Sequence, residues 1–158
     1  MRQAVYAFLK EQGIPYRVQE HEAVFTVAES AGVLPEKVPV KTLLVTDDKK
    51  QRVWMVAMRG LARLDMKQLA HDCGVKKLQF VRPERVEEIV GVRPGSVSIF
   101  GLLHPGSQNV RVIVDEALMH EPELGFHPND NTATIFLKLK DVLTIIDATG
   151  HTYRVLVV

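Results

Sequence analysis

VPVKTLLVTDDKKQRVWMVAM, residues 38–58, is the stretch on which the fold turns. Its two ends, Val38 to Val45 and Val53 to Met58, are rich in side chains that suit a pleated surface, and the polar hexapeptide DDKKQR lies between them. That pattern predicts a β-hairpin. One residue sits oddly in it. Lys41 lies inside the first run among apolar neighbours, and a cation so placed needs an anionic partner, a route for its stem to reach water, or a negatively charged ligand. A lysine on an edge strand also guards against aggregation, so position alone leaves a structural role and a catalytic one open.

Outward from the hairpin, the apolar spacing alternates between helical and extended. Ala4, Val5, Phe8 and Leu9 repeat at helical spacing and Gly13 supplies a stop, while Tyr16 and Val18 alternate with polar neighbours as in a short strand. Thr26 and Glu29 have capping-box spacing for a brief helix ending near Gly32. Asp65 and Gln68 have the same spacing and open a second helix that stops at Gly74. Leu78 to Val81 reads as a strand; Pro83 suits a first helical turn, Val86, Ile89 and Val90 form its buried face, and Gly91 ends it. Strands are expected at 110–114 and 132–137, a helix from Leu139 to Ala148 closed by Gly150, and a β-rich terminal run from Tyr153. Hairpins in some places and helical crossovers in others predict a mixed α/β fold, with flanking helices on a mixed, mostly antiparallel sheet.

The 158 residues, 46% of them hydrophobic, fit one domain spanning residues 1–158. A formal net charge of +1 offers no polybasic tail for bulk nucleic-acid or membrane binding, and 6% aromatic residues argue against a broad stacking platform. Any RNA contact is therefore local, and two groups of cations are available for it: Lys49, Lys50 and Arg52 in the hairpin turn, and Lys76, Lys77, Arg82 and Arg85 further on. The first thirteen residues lack the continuous apolar core of a signal peptide, and no run reaches transmembrane length. With a single cysteine, Cys73, no intramolecular disulfide is possible, so a cytoplasmic location is expected and packing is the role expected for that thiol. No dinucleotide or P-loop glycine motif and no paired-cysteine motif occurs.

Two further segments carry candidate chemistry. GVRPGSVSIFGLL, residues 91–103, is a glycine-punctuated loop running into an apolar stretch; Pro94 fixes φ and Gly95 permits φ > 0, so its backbone N–H groups can face something small. Ser96 and Ser98 invite a nucleophile reading, but they are not set in the nucleophile-elbow pattern and no partner base is identifiable, so hydrogen bonding within the loop is the expectation. GFHPNDNTAT, residues 125–134, holds His127 before Pro128 in extended backbone, with Asn129 and Asn131 able to orient a ligand or cap the turn. His104, Asp115, His120 and His127 lack the spacing of a metal site, and neither a metal nor any other cofactor is expected.

VKTLL at 40–44, GVRPGSVSIFGLL and GFHPNDNTAT, in that order and spacing, resemble the YbaK/ProX family of free-standing relatives of the editing domain inserted in bacterial prolyl-tRNA synthetases. The likeness spans nearly the whole chain. It implies hydrolysis of mischarged aminoacyl-tRNA in trans, with Lys41 as the essential lysine, Gly91 to Ser96 as the substrate loop and His127 as the pocket histidine. Thr42, Gly91, Pro94, Gly95, Ser96 and Asn129 are then the substrate-binding positions, mischarged tRNA is the substrate partner, and a prolyl-tRNA synthetase is the protein partner suggested. No membrane or DNA partner is expected. The loop and GFHPN segments are most similar to the ProX branch, which clears alanine from tRNA for proline, whereas Thr42 stands where alanine-specific members commonly have Asn and matches the cysteine-clearing YbaK branch. Cysteine clearance, a non-catalytic binding module of the same fold and an ordinary serine esterase are the competing expectations.

Overall fold

The computed structural model describes residues 2–20, 38–128 and 132–158. The expected brief helix from Thr26 to Gly32, and Asn129 and Asn131, lie outside the described residues.

The hairpin forms as expected: β2 (Val38–Asp47) pairs antiparallel with β3 (Val53–Arg59), with Thr46 opposite Val53 and Lys41 opposite Met58. Its turn is closed by Asp47, whose Oδ1 accepts the backbone N–H groups of Gln51 at 2.8 Å and Arg52 at 3.1 Å. Burial favours the neutral acid, but those two N–H groups and the Arg52 charge outweigh it and hold the Asp47 carboxyl below its ordinary value of 3.8. A carboxylate with a depressed folded-state pKa adds stability above its unfolded pKa and loses it as pH falls through the folded one. Asp47→Asn is therefore expected to be less stable than the parent at pH 7, with the gap closing as urea denaturation is repeated from pH 5 down to pH 2. A gap independent of pH would show that the charge contributes nothing.

The strands run β1-β7-β6-β2-β3-β5-β8, with β4 paired to β2 beside that path. The others are β1 (Arg17–Glu20), β4 (Leu78–Phe80), β5 (Arg111–Asp115), β6 (Leu124–Phe126), β7 (Ala133–Leu137) and β8 (Tyr153–Leu156). Four of the seven described ladders are antiparallel; β2–β6, β3–β5 and β5–β8 are parallel.

Successive side chains on a strand point to opposite faces, and here each face has its own cluster. Leu44, Met55, Ala57, Val112, Val114, Leu124, Phe126, Ile135 and Leu137 belong to the larger one, which also takes Val5 and Leu9 of α1 (Arg2–Glu11), Val86, Ile89 and Val90 of α3 (Pro83–Val90), and Val142, Ile145 and Ile146 of α4 (Leu139–Ala148). Val45, Trp54, Val56, Met58 and Ile113 face the other way, against Leu69 and Ala70 of α2 (Met66–Cys73). The helix ends follow their sequence signals. Asp65 caps α2 by accepting the Gln68 N–H at 3.1 Å, although the Gln68 side chain turns to Asp72 and the reciprocal half of the capping box is not made. Arg82 is extended ahead of Pro83, and Gly91 ends α3 at φ 75°.

Two features go beyond the expected elements. After the glycine loop, Pro94–Ser96, Ile99–Leu103 and Pro105–Ser107 are 3₁₀ turns, with Ile99, Phe100 and Leu102 buried in the larger cluster. Leu124–Phe126 is a strand, too short and interrupted by Gly125 to carry a β signal in the sequence.

Candidate active site

β2 carries the site because its outer edge is shared and then released. β6 pairs with it only at Val38 and Pro39, and β4 only from Val45 to Asp47. Between them the Leu44 carbonyl takes the Val81 N–H at 3.1 Å, so the even-numbered peptide groups of β2 face this edge and the odd-numbered ones face β3. The main-chain N–H and C=O of Thr42 thus point into a fork that neither β6 nor β4 fills.

Lys41 and His127 both follow the short β2–β6 ladder. In that ladder Pro39 lies opposite Gly125; Lys41 comes two residues after Pro39 on β2, and His127 two residues after Gly125, just past the end of β6. The Lys41 ammonium is half-buried and donates to the Ala62 carbonyl at 2.6 Å. An ammonium has three N–H donors, so this contact fixes the lysine and leaves two for a ligand. No feature of Ala62 itself marked it in the sequence. Its place was nonetheless recoverable, because closing the hairpin at Thr46 and Val53 sets Lys41 opposite Met58 and so beside whatever connection follows β3. His127 is tied to the main chain in the same way: its Nδ1 lies 3.1 Å from the Ala133 carbonyl. A carbonyl only accepts, so Nδ1 carries the proton and, in the neutral ring, Nε2 is the basic nitrogen. Gly125, between the two, is covered by Thr134 and Phe136; a Cβ there would meet Thr134 Cγ2 at 3.0 Å.

The substrate loop sits differently from its expectation. Thr42 is buried and, next to Lys41 on an extended strand, turns its side chain to the opposite face, so only its main chain is offered at the fork. Val92, Val97 and Ile99 belong to the cluster on the Thr42 face, so the loop approaches from that side. Pro94, Gly95 and Ser96 form a 3₁₀ turn, and positive φ occurs at Gly91 and not at Gly95. The Ser96 N–H donates to the Arg93 carbonyl at 2.9 Å, which removes it from the pair of N–H groups expected to face a ligand. Ser98 is buried and its Oγ accepts the Phe100 N–H at 3.2 Å, an N-cap and not a nucleophile. Gly91 is needed for a packing reason as well as a conformational one: a Cβ would lie 2.6 Å from Cδ2 of His104, at a φ that side chains avoid. Gly91→Ala is expected to cost about 1–3 kcal/mol in chemical denaturation; unchanged stability would mean that His104 and the turn relax freely.

The two cation groups converge at the far end of β2. A cleft of about 260 Å³ includes Lys49, Arg52 and Lys76 in its lining, and a second of about 110 Å³ includes Lys50, Arg82 and Arg85. Burial pushes the Cys73 thiol up from its ordinary value, which keeps it protonated and suits packing. His104, Asp115 and His120 do not converge: His104 packs on Gly91 and contacts the Ile89 carbonyl, Asp115 caps the turn at Ala117, and His120 is exposed. Among the described residues no helix is long and apolar enough to cross a membrane.

A solved structure described as a candidate trans-editing enzyme for prolyl-tRNA synthetase superimposes with a TM-score of 0.78 at 25% identity, over 99% of this chain and 94% of that one. The fold is therefore that of an editing-type α/β domain. The aminoacyl-tRNA editing domain family matches residues 21–145, and the chain belongs to that family. It is 34% identical to the prolyl-tRNA editing protein ProX of Acetoanaerobium sticklandii, over 97% of this chain and 94% of the relative. It is 30% identical to prolyl-tRNA synthetase associated domain-containing protein 1 of Danio rerio, over 96% and 84%. Its activity class is accordingly aminoacyl-tRNA hydrolysis.

Proposed function

We propose that the protein clears mischarged tRNA for proline in the cytoplasm, removing alanine in trans by attack of a positioned water on the aminoacyl ester. The observation that supports this reading is that Lys41 and His127, each held by a main-chain carbonyl, both follow the short β2–β6 ladder. An aminoacyl ester is already activated, so its hydrolysis needs positioning and stabilisation of the developing oxyanion more than a protein nucleophile. Water adds to the ester carbonyl carbon, the tetrahedral oxyanion collapses, the C–O bond to the ribose breaks, and the ribose oxygen leaves with a proton, giving free amino acid and tRNA. The two spare donors of Lys41 suit a phosphate or the carbonyl oxygen. Nε2 of His127 suits the water or the substrate's amino end, and the Thr42 main chain points toward the same strand edge.

Alanine is favoured by the resemblance of the loop and GFHPN segments to the ProX branch. Cysteine is the second reading, carried by Thr42. A tight pocket excludes larger residues by steric clash more strongly than it favours a smaller one by contact. The test is a panel of Ala-, Cys-, Ser-, Thr- and 2-aminobutyryl-tRNA for proline with Pro-tRNA as control. Fastest deacylation of Ala-tRNA with Pro-tRNA spared supports the reading. Fastest clearance of Cys-tRNA selects the second, tight binding with no turnover selects a non-catalytic module, and labelling of Ser96 by a fluorophosphonate would bring back the serine esterase.

A further inference from the structure

We infer that Phe80 is a stacking platform for an unpaired nucleotide in the 3′ tail of the tRNA, with Lys50, Arg82 and Arg85 holding the phosphates beside it, an inference that rests on the deacylase reading. In the three-residue strand β4, Leu78 is 5% exposed while the Phe80 ring is left 58% in water, a cost that packing does not explain. Phe80 is among the residues lining a cleft of about 110 Å³ formed by the end of β2, β4 and the start of α3, and none of the cleft's described lining residues is acidic. One of the cations is held in place: Lys50 stands at φ 56° in the hairpin turn, and its carbonyl accepts Arg85 Nη2 at 3.1 Å.

An aromatic face flanked by cations is the pairing that grips single-stranded nucleic acid, bases on the ring and backbone on the charges. Duplex phosphates or an acidic peptide would use the cations and leave the ring without purpose. Position points the same way. Phe80 lies opposite Val45, which shares the Lys41 face four residues along β2, so ring and ammonium are ~13 Å apart along the strand. At ~3.4 Å per stacked nucleotide that span is about four steps, the reach of a short unpaired tail whose last ribose carries the ester.

The experiment compares the parent with Phe80→Ala, Phe80→Leu and Phe80→Trp. It uses binding of an uncharged RNA hairpin with an unpaired 3′ tail, binding of the same hairpin made blunt, and hydrolysis of alanyl-tRNA and of 2′(3′)-O-alanyl-adenosine. Phe80→Ala and Phe80→Leu are expected to weaken binding of the tailed RNA, and raise KM for alanyl-tRNA, about tenfold. Phe80→Trp should retain both, and blunt-RNA binding and alanyl-adenosine hydrolysis should not change. Equal binding of tailed RNA by Phe80→Ala and parent overturns the inference, as does full rescue by leucine or an equal loss on blunt RNA or alanyl-adenosine. A parent inactive on every aminoacyl-tRNA overturns the deacylase reading instead, and the binding comparison then decides Phe80 on its own.

Discussion

Lys41→Ala is expected to lower kcat/KM on the mischarged tRNA by about 10²–10³-fold, the loss typical when one fixed donor to a developing charge is removed, with little change in thermal stability. The two outcomes separate because of where the ammonium sits. It is half-buried at the fork and its one partner among the described residues is the Ala62 carbonyl, a group in a turn that water can reach when the lysine is cut away. Lys41→Arg keeps the charge, but its planar guanidinium spreads its donors in a fork that does not fit a site shaped for a compact ammonium. It should therefore recover only part of the loss. If the donors act chiefly on the oxyanion, kcat falls; if they act on a phosphate of bound substrate, KM rises at constant kcat. Equal rates for Lys41→Ala and the parent across the tRNA panel would remove Lys41 from the mechanism.

The elements that position this lysine were legible because each had a local cause. The hairpin could be read from β-rich runs around a polar turn, α2 from Asp65 and Gly74, and α3 from Pro83 and Gly91, and all stand where those signals put them. What escaped depends on contacts between distant segments. The fork exists because β6 leaves β2 after Pro39 and β4 joins it only at Val45, and neither event has a signature in the residues concerned. The 3₁₀ run from Pro94 to Ser107 escaped for a related reason. Val97, Ile99, Phe100 and Leu102 are buried as a strand's would be, but short i, i+3 turns repeat too briefly to show a period. The arrangement around the candidate residues was not legible: Lys41 and His127 both follow the short β2–β6 ladder, whereas the loop between them in sequence approaches from the Thr42 face and spends the Ser96 N–H on its own turn.

That arrangement makes the two nitrogens of His127 separable by substitution, and His127→Ala is expected to cost about 10²-fold or more in kcat/KM. Asparagine places an amide nitrogen near the position of Nδ1 and can still donate to the Ala133 carbonyl, whereas glutamine reaches toward the position of Nε2 and gives up the shorter contact. If Nε2 orients the water or the substrate, His127→Gln keeps more activity than His127→Asn. If the ring only pins β6 to the turn before β7, the ranking reverses: His127→Asn keeps both activity and stability, and His127→Gln loses both. Deacylation rates and thermal unfolding of the three variants, read together, decide between a group that acts at the ester and one that holds the strand, since only the first ranks glutamine above asparagine in rate without that order appearing in the unfolding transition.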